Sequence, residues 1–200
     1  MKLPFLAWMA VVILCTPSSA HAQTHSDGHG QLTPYAGLHE RTIKSLSDDD
    51  IAEIRRGGGW GLALPAELNG KPGPAHLLDL HEQLDLSQDQ ISEIERIHAE
   101  MRAEAIEAGE RFIAAEATLS EAFVHSDLNP AELRELVDDA AAARAALRYV
   151  HLSRHLMTPS LLTDEQIERY AMLRGYRDDP CASVPDGHDP AMWRKHNGCE

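Results

Sequence analysis

His151 and His155 are the residues whose type and spacing best suit chemistry. Four apart in a helix, they stack on one face. A His-x-x-x-His pair lets two imidazoles bind one metal ion, and an imidazole-rich set suits zinc, nickel, cobalt or copper(II). Met157 follows them, while His98 and Met101 form a second donor group. His81 pairs poorly with His76, five residues earlier, but both precede His98 closely enough to reach the same region. Glu95 offers an oxygen one turn before His98. The candidate ligands for a divalent transition metal are therefore His151, His155, His98, His81 and Met157, with no organic cofactor implied. Each has a plainer alternative. A histidine in an apolar seam is usually a packed residue bonded to a neighbour, and histidines near a helix C-terminus are favoured by the helix dipole when protonated.

The tail carries Cys181, His188, His196 and Cys199, separated by six, seven and two residues. That spacing does not match a usual zinc finger, and in an oxidising compartment one disulfide closing a short loop is the simpler expectation. Catalysis finds little support. The helical body has no cysteine nucleophile, no nucleophile-elbow serine and no His-Glu-x-x-His. The glycine run at residues 57–59 lacks the Gly-Lys-Ser/Thr of a phosphate loop and reads as a hinge or a close backbone contact.

Four similar stretches set the elements that must position the histidines. Leu86-Ser87-Gln88-Asp89-Gln90-Ile91 and Leu162-Thr163-Asp164-Glu165-Gln166-Ile167 are strict copies of one template, and stretches beginning at Leu46 and Leu128 are looser ones. Each is a helix start: a Ser, Thr or Asn N-cap, a side chain at N3 that reaches back, and a leading Leu as staple. Short helices are expected over 48–56, 62–68, 75–85 and 163–175. Long ones are expected from Ser87 to about residue 125, and from Pro130 to about residue 157. Apolar steps of three and four give both long helices a seam. The fold predicted is all-α: a long antiparallel helical hairpin with short flanking helices, its arms roughly 40 Å long. With the turn near residue 128, His98 and Met101 oppose the stretch holding His151, His155 and Met157.

The two strict Leu-Ser/Thr-x-x-Gln copies, each opening a helix behind an export signal, resemble the LTxxQ family of small periplasmic helical proteins, which includes Spy, CpxP, ZraP and CnrX-type metal sensors. The resemblance covers residues 74–176. It implies a homodimer and either of two roles: binding or sensing divalent heavy metals, or ATP-independent chaperoning of unfolded clients. In the CnrX type a His-x-x-x-Met pair precedes the second motif; here His151 matches the first position and His155 replaces the Met. A membrane sensor is an implied partner. Residues 35–73 have no counterpart in the short chaperone members, and their role stays open.

The N-terminus reads as a cleaved signal peptide over 1–22: Met-Lys, an apolar run, then Ala-His-Ala. This points to the periplasm. A flexible His-bearing arm follows over 23–45, then a short helix and Gly/Pro-rich extension over 46–73, the helical domain over 74–176, and the tail over 177–200. The formal net charge of −14 argues against nucleic acid and anionic membrane surfaces. It also weighs against simple transfer of the chaperone role, whose family members are associated with a basic concave face.

Overall fold

The computed structural model describes residues 34–125 and 127–199. The predicted signal peptide and His25 and His29 of the arm lie outside the described residues. The chain divides into two units, Met1–Ala36 and Gly37–Glu200, and every helix below belongs to the second.

The unit is all-helical among the described residues. After a 3-10 turn at Leu38–Glu40 come α1 (Asp48–Arg55), α2 (Leu64–Glu67), α3 (Pro74–Asp79), α4 (Gln88–His125), α5 (Pro130–Met157), a second 3-10 turn at Thr158–Leu161, α6 (Asp164–Leu173) and α7 (Pro190–His196). No described helix is long and apolar enough to cross a membrane. At 38 residues α4 is about 57 Å long, well beyond the expected 40 Å. The expected helix over 75–85 stops at Asp79; turns follow, with Asp85 at φ 49°. The tail, expected to lack regular structure, contains α7, capped by Asp189 with Pro190 at its first position. Cys181 and Cys199 are bridged, with Cα atoms 5.4 Å apart.

The caps form as their residue types require. Reciprocal capping boxes occur at Ser47/Asp50, Asn129/Glu132 and Thr163/Gln166. Ser87 and Gln90 make the same pair of bonds, at 2.9 and 3.2 Å. The two glutamines go further. Gln90 Nε2 donates to Gln166 Oε1 at 2.8 Å and to the Leu161 carbonyl at 2.7 Å. Gln166 Nε2 donates back to Gln90 Oε1 and to the Leu84 carbonyl, both at 3.3 Å. A glutamine can cap with its oxygen while its amide hydrogens bond elsewhere; a glutamate at the same position has no donor to offer. The starts of α4 and α6 are thereby clasped together.

Helix α5 packs back along α4. Arg154 Nη2 donates to Glu104 Oε1 at 2.5 Å, a pair equidistant from residue 129. Two apolar clusters hold the short elements to this pair. Leu77, Leu84, Leu86, Ile94 and Tyr170 join α3, α4 and α6. Ile43, Leu46, Ile54 and Leu62 pack with Ala105, Ala108, Phe112, Ile113 and Leu147. The second cluster alters two expectations. Residues 43–45, expected within a flexible arm, are fixed: Ile43 is buried, Lys44 N–H donates to Ser120 Oγ, and Ser45 Oγ donates to Glu116. Residues 46–73, for which no role was evident, form one wall of the core. Gly109 permits this closeness, since a Cβ there would stand 2.5 Å from Ile54 Cγ2.

Candidate functional site

A cleft of about 470 Å³ opens between α4 and α5 on one side and the 53–76 segment on the other. Its lining includes His98, Met101 and Arg102 from α4, His151 and His155 from α5, and Glu53, Trp60, Glu67 and His76 from the short elements. The helical spacing of the α5 pair places both imidazoles on the cleft side. The register of the hairpin brings His98 and Met101 to the same level.

Trp60 props the outer wall. Its indole N–H donates to Asp50 Oδ1 at 2.8 Å, its backbone N–H donates to Glu53 Oε1 at 2.9 Å, and its ring lies 5.6 Å from that of Phe112. Arg144 of α5 sits over the indole at 5.5 Å. The Ser47 hydroxyl and backbone N–H, with the Trp60 indole, hold the Asp50 carboxyl below its ordinary pKa. The glycine loop is thus pinned rather than hinged at its Trp end.

The floor is built around Glu67 and His155, both buried. Glu67 Oε1 accepts from the Tyr170 and Tyr176 hydroxyls, and Arg174 Nε lies 3.5 Å away. Glu67 Oε2 is buried without a hydrogen-bond partner and stands 3.8 Å from His155 Nδ1. Burial and the bond to Glu67 push the Tyr170 hydroxyl well above its ordinary range, so it remains a donor. His155 Nδ1 lies 2.6 Å from the Lys71 carbonyl. A carbonyl only accepts, so Nδ1 carries a proton. Gly73 stands against the Nε2 edge of the ring: a Cβ there would be 2.6 Å from His155 Nε2. Thr158 Oγ1 donates to the Pro72 carbonyl, so the 69–74 turn is stitched to the end of α5.

His151 also lines the cleft. It is 3% exposed, and its Nε2 has no hydrogen-bond partner. Burial, and then the neighbouring His155, lower its pKa, while Glu53 opposes them. The ring is therefore neutral at neutral pH and keeps a free lone pair.

The structure brings His98, His151, His155 and Met101 to one cleft, with His76 beside them. It does not bring His81 or Met157. His81 lies in the turn after α3, exposed, with Nδ1 2.7 Å from the Leu78 carbonyl. Met157 is 39% exposed and does not line the cleft. Glu95 is also exposed. Cys181 and Cys199 are committed to each other, and His188 stacks edge-on against Trp193 at 4.8 Å. Among the described residues, no group of three or more His, Cys, Asp or Glu side chains is arranged to hold a metal ion as the rings stand. Sequence reasoning missed Glu67, Glu53, Trp60 and Gly73. The only local hint was the Pro/Gly-rich turn beside them; their partners lie up to 109 residues away. Comparison with family models, curated proteins and solved structures finds no match.

Proposed function

We propose that this protein binds a divalent transition-metal ion in the α4/α5 cleft and serves, in the periplasm, as a non-enzymatic metal-binding or metal-sensing protein of the CnrX/ZraP kind. The observation that carries this reading is the buried, unpartnered Nε2 of His151 beside His98, His155 and Met101. A neutral imidazole with a free lone pair is what a borderline metal selects. His155 adds a ring whose Nδ1–H is oriented by a carbonyl, the support commonly found behind metal-bound histidines. His151 and His155 would hold the ion, with His98 and Met101 completing the set by side-chain rotation. The ion would supply a positive charge that ties α5 to α4, a change a membrane sensor could read.

Calorimetric titration with zinc, nickel, cobalt and copper tests this. Binding much tighter than about millimolar is expected, and His151→Ala/His155→Ala should abolish it. Equal affinity in that double variant would remove the proposal. A chaperone reading draws support from one observation: Phe123 and Val124, at the α4 end of the hairpin loop, are 66% and 65% exposed. An aggregation assay with a reduced, unfolding client separates the two. No suppression at several-fold excess would discard the chaperone.

A further inference from the structure

Two arginines of the cleft have no carboxylate to hold, in a chain with 32 acidic and 18 basic residues. Among the described residues, eight arginines lie within 4.0 Å of an acid. Arg56 and Arg102 do not, and their side chains make no hydrogen bond among those residues. Both are exposed, and both line the cleft. The sequence explains why they are unpaired. A helical arginine finds its acid three or four residues away. Around Arg102 those positions hold His98, Ala99, Ala105 and Ile106. For Arg56 the acid at that spacing is Glu53, but Glu53 Oε1 accepts from the Trp60 backbone N–H at 2.9 Å.

The backbone brings the two arginines to one rim. Gly57, at φ 75°, lies on Arg102: a Cβ there would stand 2.9 Å from Arg102 Cγ. The chain leaving α1 is thus pressed onto α4, and Arg56 comes immediately before the contact. Beside this rim the lining turns apolar, with Trp60, Ala63, Leu64, Pro74 and Met101. Leu64 is 52% exposed, a large apolar side chain with a free surface. A metal ion would leave most of the space unfilled. One water occupies about 30 Å³, whereas the cleft offers about 470 Å³, a size typical of sites for organic molecules. A guanidinium matches a planar carboxylate, donating to both of its oxygens. We propose that the cleft binds a small organic acid, its carboxylate held by Arg56 and Arg102 and its apolar body laid against Trp60 and Leu64. These residues are not the ones that would hold the metal, so the two sites stand or fall separately.

Calorimetric titration of the chelator-treated protein with phenylacetate tests it, since no metal is then present to attract the carboxylate. The comparison probe is 2-phenylethanol, which keeps the apolar body and lacks the charge. Phenylacetate should bind with a Kd of about 1 mM or tighter, and 2-phenylethanol roughly tenfold more weakly or worse. Arg56→Gln and Arg102→Gln each remove one guanidinium, and each should weaken phenylacetate by about tenfold. Both side chains are exposed, so the variants should keep the wild-type helices and unfolding midpoint by circular dichroism. Arg148→Gln removes another exposed arginine without an ion pair, one that does not line the cleft, and should change nothing. Phenylacetate that fails to bind, that binds no better than 2-phenylethanol, or that binds equally well to Arg56→Gln/Arg102→Gln would overturn the proposal. A protein that binds phenylacetate and no metal would keep this site and lose the metal reading.

Discussion

The two ends of the α4/α5 pair begin with the same device and come to different states. At the loop end the Asn129 box caps α5, yet no described residue from 114 to 139 is buried. At the far end the Ser87 and Thr163 boxes are clasped through Gln90 and Gln166, and Leu77, Ile94 and Tyr170 are almost wholly enclosed. A cap fixes where a helix starts and satisfies its first N–H groups. It does not make a core. The added ingredient at the far end is a neutral amide at N3 in place of the Glu132 carboxylate, with apolar partners to close over it.

The sharpest way to break this contrast is to truncate one phenylalanine within the core and one at the loop end. Phe112→Ala should lower unfolding free energy by about 3–5 kcal/mol in denaturant titrations. Phe123→Ala should change it by less than about 0.5 kcal/mol. Comparable losses would mean that the loop end is as enclosed as the core. Gly109→Ala forces a methyl onto Ile54 and should cost about 1–3 kcal/mol, read as a shift of the denaturant midpoint. Gln90→Glu keeps the capping oxygen but turns a carboxylate oxygen toward the Leu161 carbonyl and Gln166. A loss of about 1–3 kcal/mol is expected, whereas Glu132→Gln at the loop end should be nearly silent.

The pH dependence carries a smaller signature. His151 has a folded-state pKa below its unfolded value. As pH falls below about 6.5, the unfolded chain takes up a proton that the folded ring resists, so stability is lost toward acid and regained toward neutrality. In chelator-treated protein this slope should flatten in His151→Gln. Smallest of all, Cys181→Ser/Cys199→Ser should open the tail loop while leaving the main unfolding transition in place. The tail's α7 is held chiefly by the bridge and by Trp193 Nε1 donating to the Pro180 carbonyl. Loss of the main transition would show that the tail supports the core.

The all-helical class and the cap positions were legible because caps and periodicity are local. The hairpin register was legible too, since a short reversal after two long seams leaves little choice: the Glu104–Arg154 pair centres on residue 129, against an expected 128. That register is why His98 and Met101 could be set opposite His151 and His155. Glu67 was illegible because it sits in a four-residue helix whose burial depends on Tyr170 and Tyr176. His81 was misplaced because the helix expected to carry it ends at Asp79. Helix α7 did offer a signal, Asp189-Pro190, of the same kind as Asn129-Pro130, but seven residues are too few to show a period.

The Gln90–Gln166 clasp also orders events in time. Its two halves are 76 residues apart, and the Glu67–Tyr176 bond spans 109. Contacts of such separation form late, because the loop they close must be ordered before they reward it. Helices α4 and α5 can pair as soon as residue 157 is made, while the floor of the cleft waits for α6 and Tyr176. A chain stopped short of residue 166 would hold every residue that lines the cleft but lack the Tyr170 and Tyr176 hydroxyls that hold Glu67 at its floor.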